Sequence, residues 1–93
     1  MEEIVPKDYS LHQCYPNPFN STTIIKYSVS KAADISIKLY DISGREIKIL
    51  VHEYKSPGNY QVSFSGENLT SGVYFYQLKT NSFSETKKMI IIK

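Results

Sequence analysis

The sequence predicts an all-β fold, an antiparallel sandwich or barrel of seven strands, and three features predict it together. Apolar residues alternate at period two through most of the chain, which suits strands with one face in a core and one in water. Turn-forming residues interrupt these runs about every ten positions, the spacing of a small β-sandwich or barrel. Apolar residues at the three- and four-residue spacing of an amphipathic helix are missing. The 93 residues suffice for one domain with one shared core, since a chain of this size buries only about 60 to 65% of its unfolded surface. With 41% hydrophobic and 13% aromatic residues, the chain is too apolar to remain disordered.

The first strand is expected at Tyr9 to Cys14, ending where YPNPFN (residues 15 to 20) begins. Pro16 and Pro18 remove two backbone donors and hold Tyr15 and Asn17 extended, so the ladder should break there. This makes the segment a corner between sheets, with an aromatic ring closing the end of the core. The second strand, Thr22 to Val29, turns Thr23, Ile25, Tyr27 and Val29 to one face and Lys26 and Ser28 to the other. The third, Asp34 to Tyr40, points Ile35, Ile37 and Leu39 inward and Ser36, Lys38 and Tyr40 outward. In the turn DISGR, Asp41 is suited to accept local N–H groups and Gly44 to take the positive φ of a tight hairpin.

A fourth strand runs from Arg45 to about His52, with Ile47, Ile49 and Val51 in register. Ser56-Pro57-Gly58-Asn59 reads as a type II turn, and Tyr60, Val62 and Phe64 then form the inner face of a fifth strand. From Leu69 to Lys79 both faces are apolar, as in a central strand, with Val73 and Phe75 on one side and Tyr74, Tyr76 and Leu78 on the other. Tyr74, just after a Leu-x-x-Gly turn, matches the tyrosine corner of immunoglobulin-like sandwiches, whose hydroxyl bonds to upstream backbone. The last strand spans roughly Phe83 to Lys93; its β-branched end would be an aggregating edge, which Lys87, Lys88 and Lys93 are placed to guard.

Composition excludes several functions. Eleven basic and nine acidic residues, spread along the chain, leave a formal charge of +2, far from the concentrated basic surface of a nucleic-acid binder. No apolar run is long enough for a membrane span, and Met1-Glu2-Glu3 is acidic where a secretory signal would be basic. Cys14 is the lone cysteine, so no internal disulfide forms, and it is expected to be a small half-buried side chain. His12 and His52 lack metal-ligand spacing, Gly44, Gly58, Gly66 and Gly72 stand singly in turns, and no nucleophile, base or metal set converges. No cofactor and no catalysis are expected, which leaves a binding or signalling module.

The ordered segments LHQCYPNPFNSTTIIKYSV, LYDISGREIKILV, SPGNYQVSF, LTSGVYFYQLK and FSETKKMIIIK resemble the type A C-terminal sorting domain of the type IX secretion system of Gram-negative bacteria. The resemblance covers about Leu11 to Lys93 and implies a seven-stranded immunoglobulin-like antiparallel β-sandwich at the end of a larger exported protein. It further implies that an N-terminal cargo folds in the periplasm and passes to an outer-membrane translocon with its shuttle or sortase components. The sorting domain is then usually cleaved, and the cargo stays at the cell surface or is secreted. Residues 9–93 would be the sorting domain and 1–8 a linker or an added N-terminal segment.

The family's proline motif falls on Tyr15, Pro16, Asn17, Pro18 and Phe19, its Asp-x-x-Gly-Arg turn on Asp41, Gly44 and Arg45, its Gly-x-Tyr on Gly72 and Tyr74, and its terminal lysines on Lys87, Lys88 and Lys93. Cys14 stands where asparagine is usual and Ser21 where proline is frequent. Candidate translocon contacts are Gly44, Arg45, Lys87, Lys88 and Lys93, with the other motif residues mainly structural. Arg45 offers a rigid multi-donor fork on an exposed hairpin, and a terminal strand is readable by edge pairing or by its free carboxylate. Two alternatives stand beside these roles: Arg45 pairs with Asp41 across its turn, and the lysines are solvated edge guards. The competing function is a carbohydrate-binding or adhesive sandwich, which would need a flat platform built from Tyr40, Tyr54 and whichever of Tyr74 and Tyr76 faces out.

Overall fold

In the computed structural model, which describes residues 5–93, the chain forms seven strands. They are β1 (Ser10–Leu11), β2 (Thr22–Val29), β3 (Ala33–Tyr40), β4 (Glu46–Lys55), β5 (Gly58–Ser65), β6 (Gly72–Lys79) and β7 (Ser84–Ile91). The seven strands pair antiparallel, in a three-stranded sheet ordered β1-β2-β5 and a four-stranded sheet ordered β4-β3-β6-β7. This division, with the chain crossing between sheets after β2, β4 and β5, is that of an immunoglobulin-like sandwich. The opening residues 1–4 of the expected 1–8 segment, Met1-Glu2-Glu3 included, lie outside the described residues.

The period-two pattern does what it predicts for β2, β3 and β6. Ile25, Val29, Ile35, Ile37, Leu39, Tyr76 and Leu78 are completely buried between the sheets, with Met89 and Ile91 of β7 beside them. β6 lies between β3 and β7, the central place its two apolar faces require. The Tyr74 hydroxyl donates to the carbonyl of Thr70 at 2.8 Å, which makes the tyrosine corner.

Three expectations need correction. The first strand is shorter, because the Cys14 N–H donates inward to the Tyr76 hydroxyl at 2.7 Å and leaves the ladder. Pairing passes from Leu11↔Tyr27 to Tyr15↔Ile24, so one extra residue bulges toward the core and Cys14 becomes buried, 2% exposed, rather than half-buried. In β4, register shifts against β3 leave Leu50 and Ile47 without partners, and Ile47, Ile49 and Val51 do not share a face. Val51 is buried, whereas Ile47 and Ile49 are 38% and 48% exposed. Finally, residues 56–59 do not form a type II turn: Gly58 has φ of 159°, which is extended, and the chain passes there from one sheet to the other.

Candidate recognition surface

Two regions carry the sequence-predicted residues, the β3–β4 hairpin turn and the junction of the proline segment with β7. In the turn, Asp41 Oδ1 accepts the N–H groups of Ser43 and Arg45, both at 2.9 Å, and the Ser43 hydroxyl at 2.6 Å. Gly44, at φ 88°, donates its N–H to the Asp41 carbonyl at 2.9 Å, a conformation in which a side chain would be strained. The hydrogen bonds from Ser43 and the Arg45 backbone, with the Arg45 charge adding to them, hold the Asp41 carboxyl at about 2, below the usual carboxylate range. Arg45 meets Asp41 through Nε alone, at 3.4 Å, and its side chain is 83% exposed. The turn therefore positions Arg45 through its backbone and leaves most of the guanidinium donors facing water.

The proline segment ties the two sheets together. Tyr15 exchanges both backbone hydrogen bonds with Ile24 of β2, at 3.0 Å each, on the three-stranded sheet. Four residues later, Phe19 donates its N–H to the Ile90 carbonyl at 3.0 Å and accepts the Ile92 N–H at 2.8 Å, on the outer edge of β7. Between them the Asn17 carboxamide acts as a piece of strand, accepting the Ile90 N–H at 2.8 Å. Gln13 extends this strap by donating to the Lys88 carbonyl at 2.6 Å, and Thr23 Oγ1 fixes the Pro16 carbonyl at 2.7 Å. Both prolyl bonds, Tyr15–Pro16 and Asn17–Pro18, are cis. Phe19 closes the core, 4% exposed and edge-on to Phe64, whereas the Tyr15 ring is 80% exposed and closes nothing.

The lysines do not form one patch. Lys87 pairs with Glu85 at 3.4 Å, Lys88 lies on the exposed outer face, and Lys93 donates to the Glu67 carbonyl at 2.6 Å while its N–H meets Ser71 Oγ at 2.9 Å. Gly72 pairs with Ile91 at the start of β6 and leads into the Tyr74 corner. The far half of β7's edge is guarded by the strap rather than by charge alone.

Sequence reasoning missed Tyr76 and the strand-mimicking role of Asn17. Tyr76 is completely buried, receives the Cys14 N–H and donates to the His12 carbonyl at 2.8 Å, so one hydroxyl joins β6 to the residues leading into the strap. Burial pushes its ionisation well above that of a free tyrosine, with Cys14 adding to the shift. A tyrosine on the inner face of a central strand was the available signal, since its hydroxyl needs a buried partner.

Chemistry does not converge elsewhere: among the described residues no three His, Cys, Asp or Glu side chains form a metal-binding group. Among the same residues no helix is long and apolar enough to cross a membrane. The aromatic platform is not built either, because Tyr74 and Tyr76 both face inward and Tyr40 and Tyr54 sit at opposite ends of the β3–β4 hairpin. In comparisons with known proteins, the family model described as a secretion system C-terminal sorting domain matches residues 13–93. No curated protein matches the chain.

Proposed function

Since the chain belongs to the family of type IX secretion system C-terminal sorting domains, and so serves as the sorting signal of a larger exported protein, we propose that its folded surface is what the translocon reads. The family match over residues 13–93 carries this reading. The proposed route runs from the periplasm through the outer-membrane translocon, with its shuttle or sortase components, to the cell surface or the medium. Residues 9–93 act as the sorting unit, which in such proteins is usually removed after passage, and 1–8 are a linker or an added segment.

Recognition is assigned to Gly44 and Arg45 and to the lysines of the last strand. The exposed, backbone-positioned guanidinium of Arg45 and the outward Lys88 support this assignment best. Lys87 and Lys93 contribute less, since each already has a partner within the domain. The experiment joins the whole chain to a fluorescent protein directed to the periplasm of a host with a working type IX translocon. Fluorescence is expected at the cell surface or in the medium. A fusion that stays periplasmic would overturn the reading.

A further inference from the structure

The strap covers only part of β7, and what it leaves open has a definite shape. Lys88 O, Ile90 N, Ile90 O and Ile92 N face away from β6 and are met by Gln13, Asn17 and Phe19. Backbone direction alternates along a strand, so Ser84 and Thr86 turn both their polar groups, and Lys88 its N–H, to the same outer side. There β7 has no strand neighbour, and all three residues are exposed. The backbone groups of this edge from Ser84 to the Lys88 N–H are thus an unpaired ladder, approached by Leu11, whose N–H donates to the Glu85 side chain at 3.0 Å.

Beside this edge, on the outer face of the four-stranded sheet, lies a hollow of about 460 Å³ that runs from Thr86 over Gln77 and Phe75 to Tyr40 and the 41–44 turn, where the Asp41 carboxylate makes its far end suited to an apolar rather than an acidic side chain. Tyr40 and Phe75 are cross-strand partners and form its half-buried aromatic floor, and Ile42, 77% exposed, overhangs it from the hairpin turn. Lys79 and Lys88 are exposed beside it, and neither has a carboxylate within ion-pair distance among the described residues.

We infer that this edge and hollow form one docking site for an extended acidic segment of the translocon, which adds as a strand beside Ser84 to Lys88 and turns an apolar side chain onto Phe75. A strand laid about 4.8 Å from β7 places alternate side chains over the outer face, where the hollow opens at Thr86. Backbone pairing supplies affinity and the pocket specificity, as in other strand-addition complexes. The two uncompensated lysines make an acidic segment the complementary partner. The inference rests on the sorting function and adds to it where the contact lies and what the partner carries.

The test uses the fluorescent fusion with two variants. Thr86→Pro removes an outward N–H that nothing within the domain uses, at an edge position where proline is tolerated. Lys88→Glu reverses one of the charges without touching the ladder. With a melting temperature within about 5 °C of the parent, Thr86→Pro should lower the exported fraction at least tenfold, and Lys88→Glu should lower it several-fold. If Thr86→Pro fails to fold, Lys88→Glu decides alone. Export of a folded Thr86→Pro at the parental level overturns strand addition and leaves the sorting function intact. An unexported parent fusion overturns the sorting function, and this inference with it. If Thr86→Pro abolishes dimerisation of the purified chain without changing export, the edge serves a second copy of the chain and the translocon site is refuted.

Discussion

Replacing Tyr76 by phenylalanine removes a single oxygen from the middle of the fold. The ring stays and its packing is kept, so no apolar transfer is lost. What disappears is the acceptor for the Cys14 N–H, at 2.7 Å, and the donor to the His12 carbonyl, at 2.8 Å. Cys14 is 2% exposed, so its N–H is stranded without water, which costs about 1–3 kcal/mol. His12 is exposed and its carbonyl can rehydrate, which limits that loss to about 0.5–1.5 kcal/mol. Together the substitution should remove about 2–4 kcal/mol. At roughly 0.2 kcal/mol per degree for a domain of this size, the melting temperature falls by about 10–20 °C.

Urea unfolding followed by circular dichroism measures this loss, and the slope with denaturant should stay unchanged because the same surface is exposed. Tyr74→Phe is the comparison: its hydroxyl serves the Thr70 carbonyl at a partly buried corner and should cost about 1 kcal/mol. If Tyr76→Phe costs no more than Tyr74→Phe, the hydroxyl does not hold the strap entrance in place and the reasoning fails.

Gly66→Ala should destabilise by about 1–3 kcal/mol, since the new methyl would sit 3.0 Å from Ile91 Cδ1 and 3.2 Å from Phe19 Cε2, both in the packed end of the core; thermal melts decide it. Asn17→Leu leaves the Ile90 N–H without its acceptor and should cost about 1–3 kcal/mol, with faster amide exchange at Ile90 and Ile92 and little change in β2. Tyr76 and Tyr27 both have raised ionisation, chiefly from burial, with Cys14 adding for Tyr76 and Glu53 then Tyr60 for Tyr27. Their neutral forms are favoured by folding, so this stability is complete below about pH 10 and declines as pH rises further; urea midpoints at pH 8 and 11 should differ by less in Tyr76→Phe. Asp41 is depressed to about 2, so its contribution is present above about pH 4 and fades as pH falls toward 2, a loss that Asp41→Asn should lack.

The strands were legible where one rule governed them. In β2, β3 and β6, alternation assigns the inner face, and the cross-strand ladders keep that assignment; the exception is Ser28, expected in water but buried with its hydroxyl donating to Asn59 Oδ1 at 2.7 Å. In β4 the same alternation is present, but the partner strand imposes register shifts that only pairing reveals, and Ile47 and Ile49 turn outward. Pro57-Gly58 announces a turn without saying whether the next strand pairs with the last. The Asp41–Gly44–Arg45 turn was readable because its hydrogen bonds are local. The strap was not: Gln13 and Lys88 are 75 positions apart and Asn17 and Ile90 are 73 apart, and nothing local in either stretch names the other.

That long-range pairing connects the two ends of the chain. β7 is a sheet edge rich in β-branched residues, the kind that recruits other strands unless it is covered. Its far end is sealed by residues the chain lays down before its second strand, so the seal closes only after β7 has been placed beside β6. In a sorting domain this order has a use. The covered part of the edge belongs to the folded state, while Ser84 to Lys88 has no strand partner on its outer side and reaches the Phe75 hollow at Thr86. A surface assembled from β3, the turn after it, β6 and β7 exists only when the four-stranded sheet has formed. A partner that binds it distinguishes a folded tail from an unfolded one, with no catalytic group in the domain.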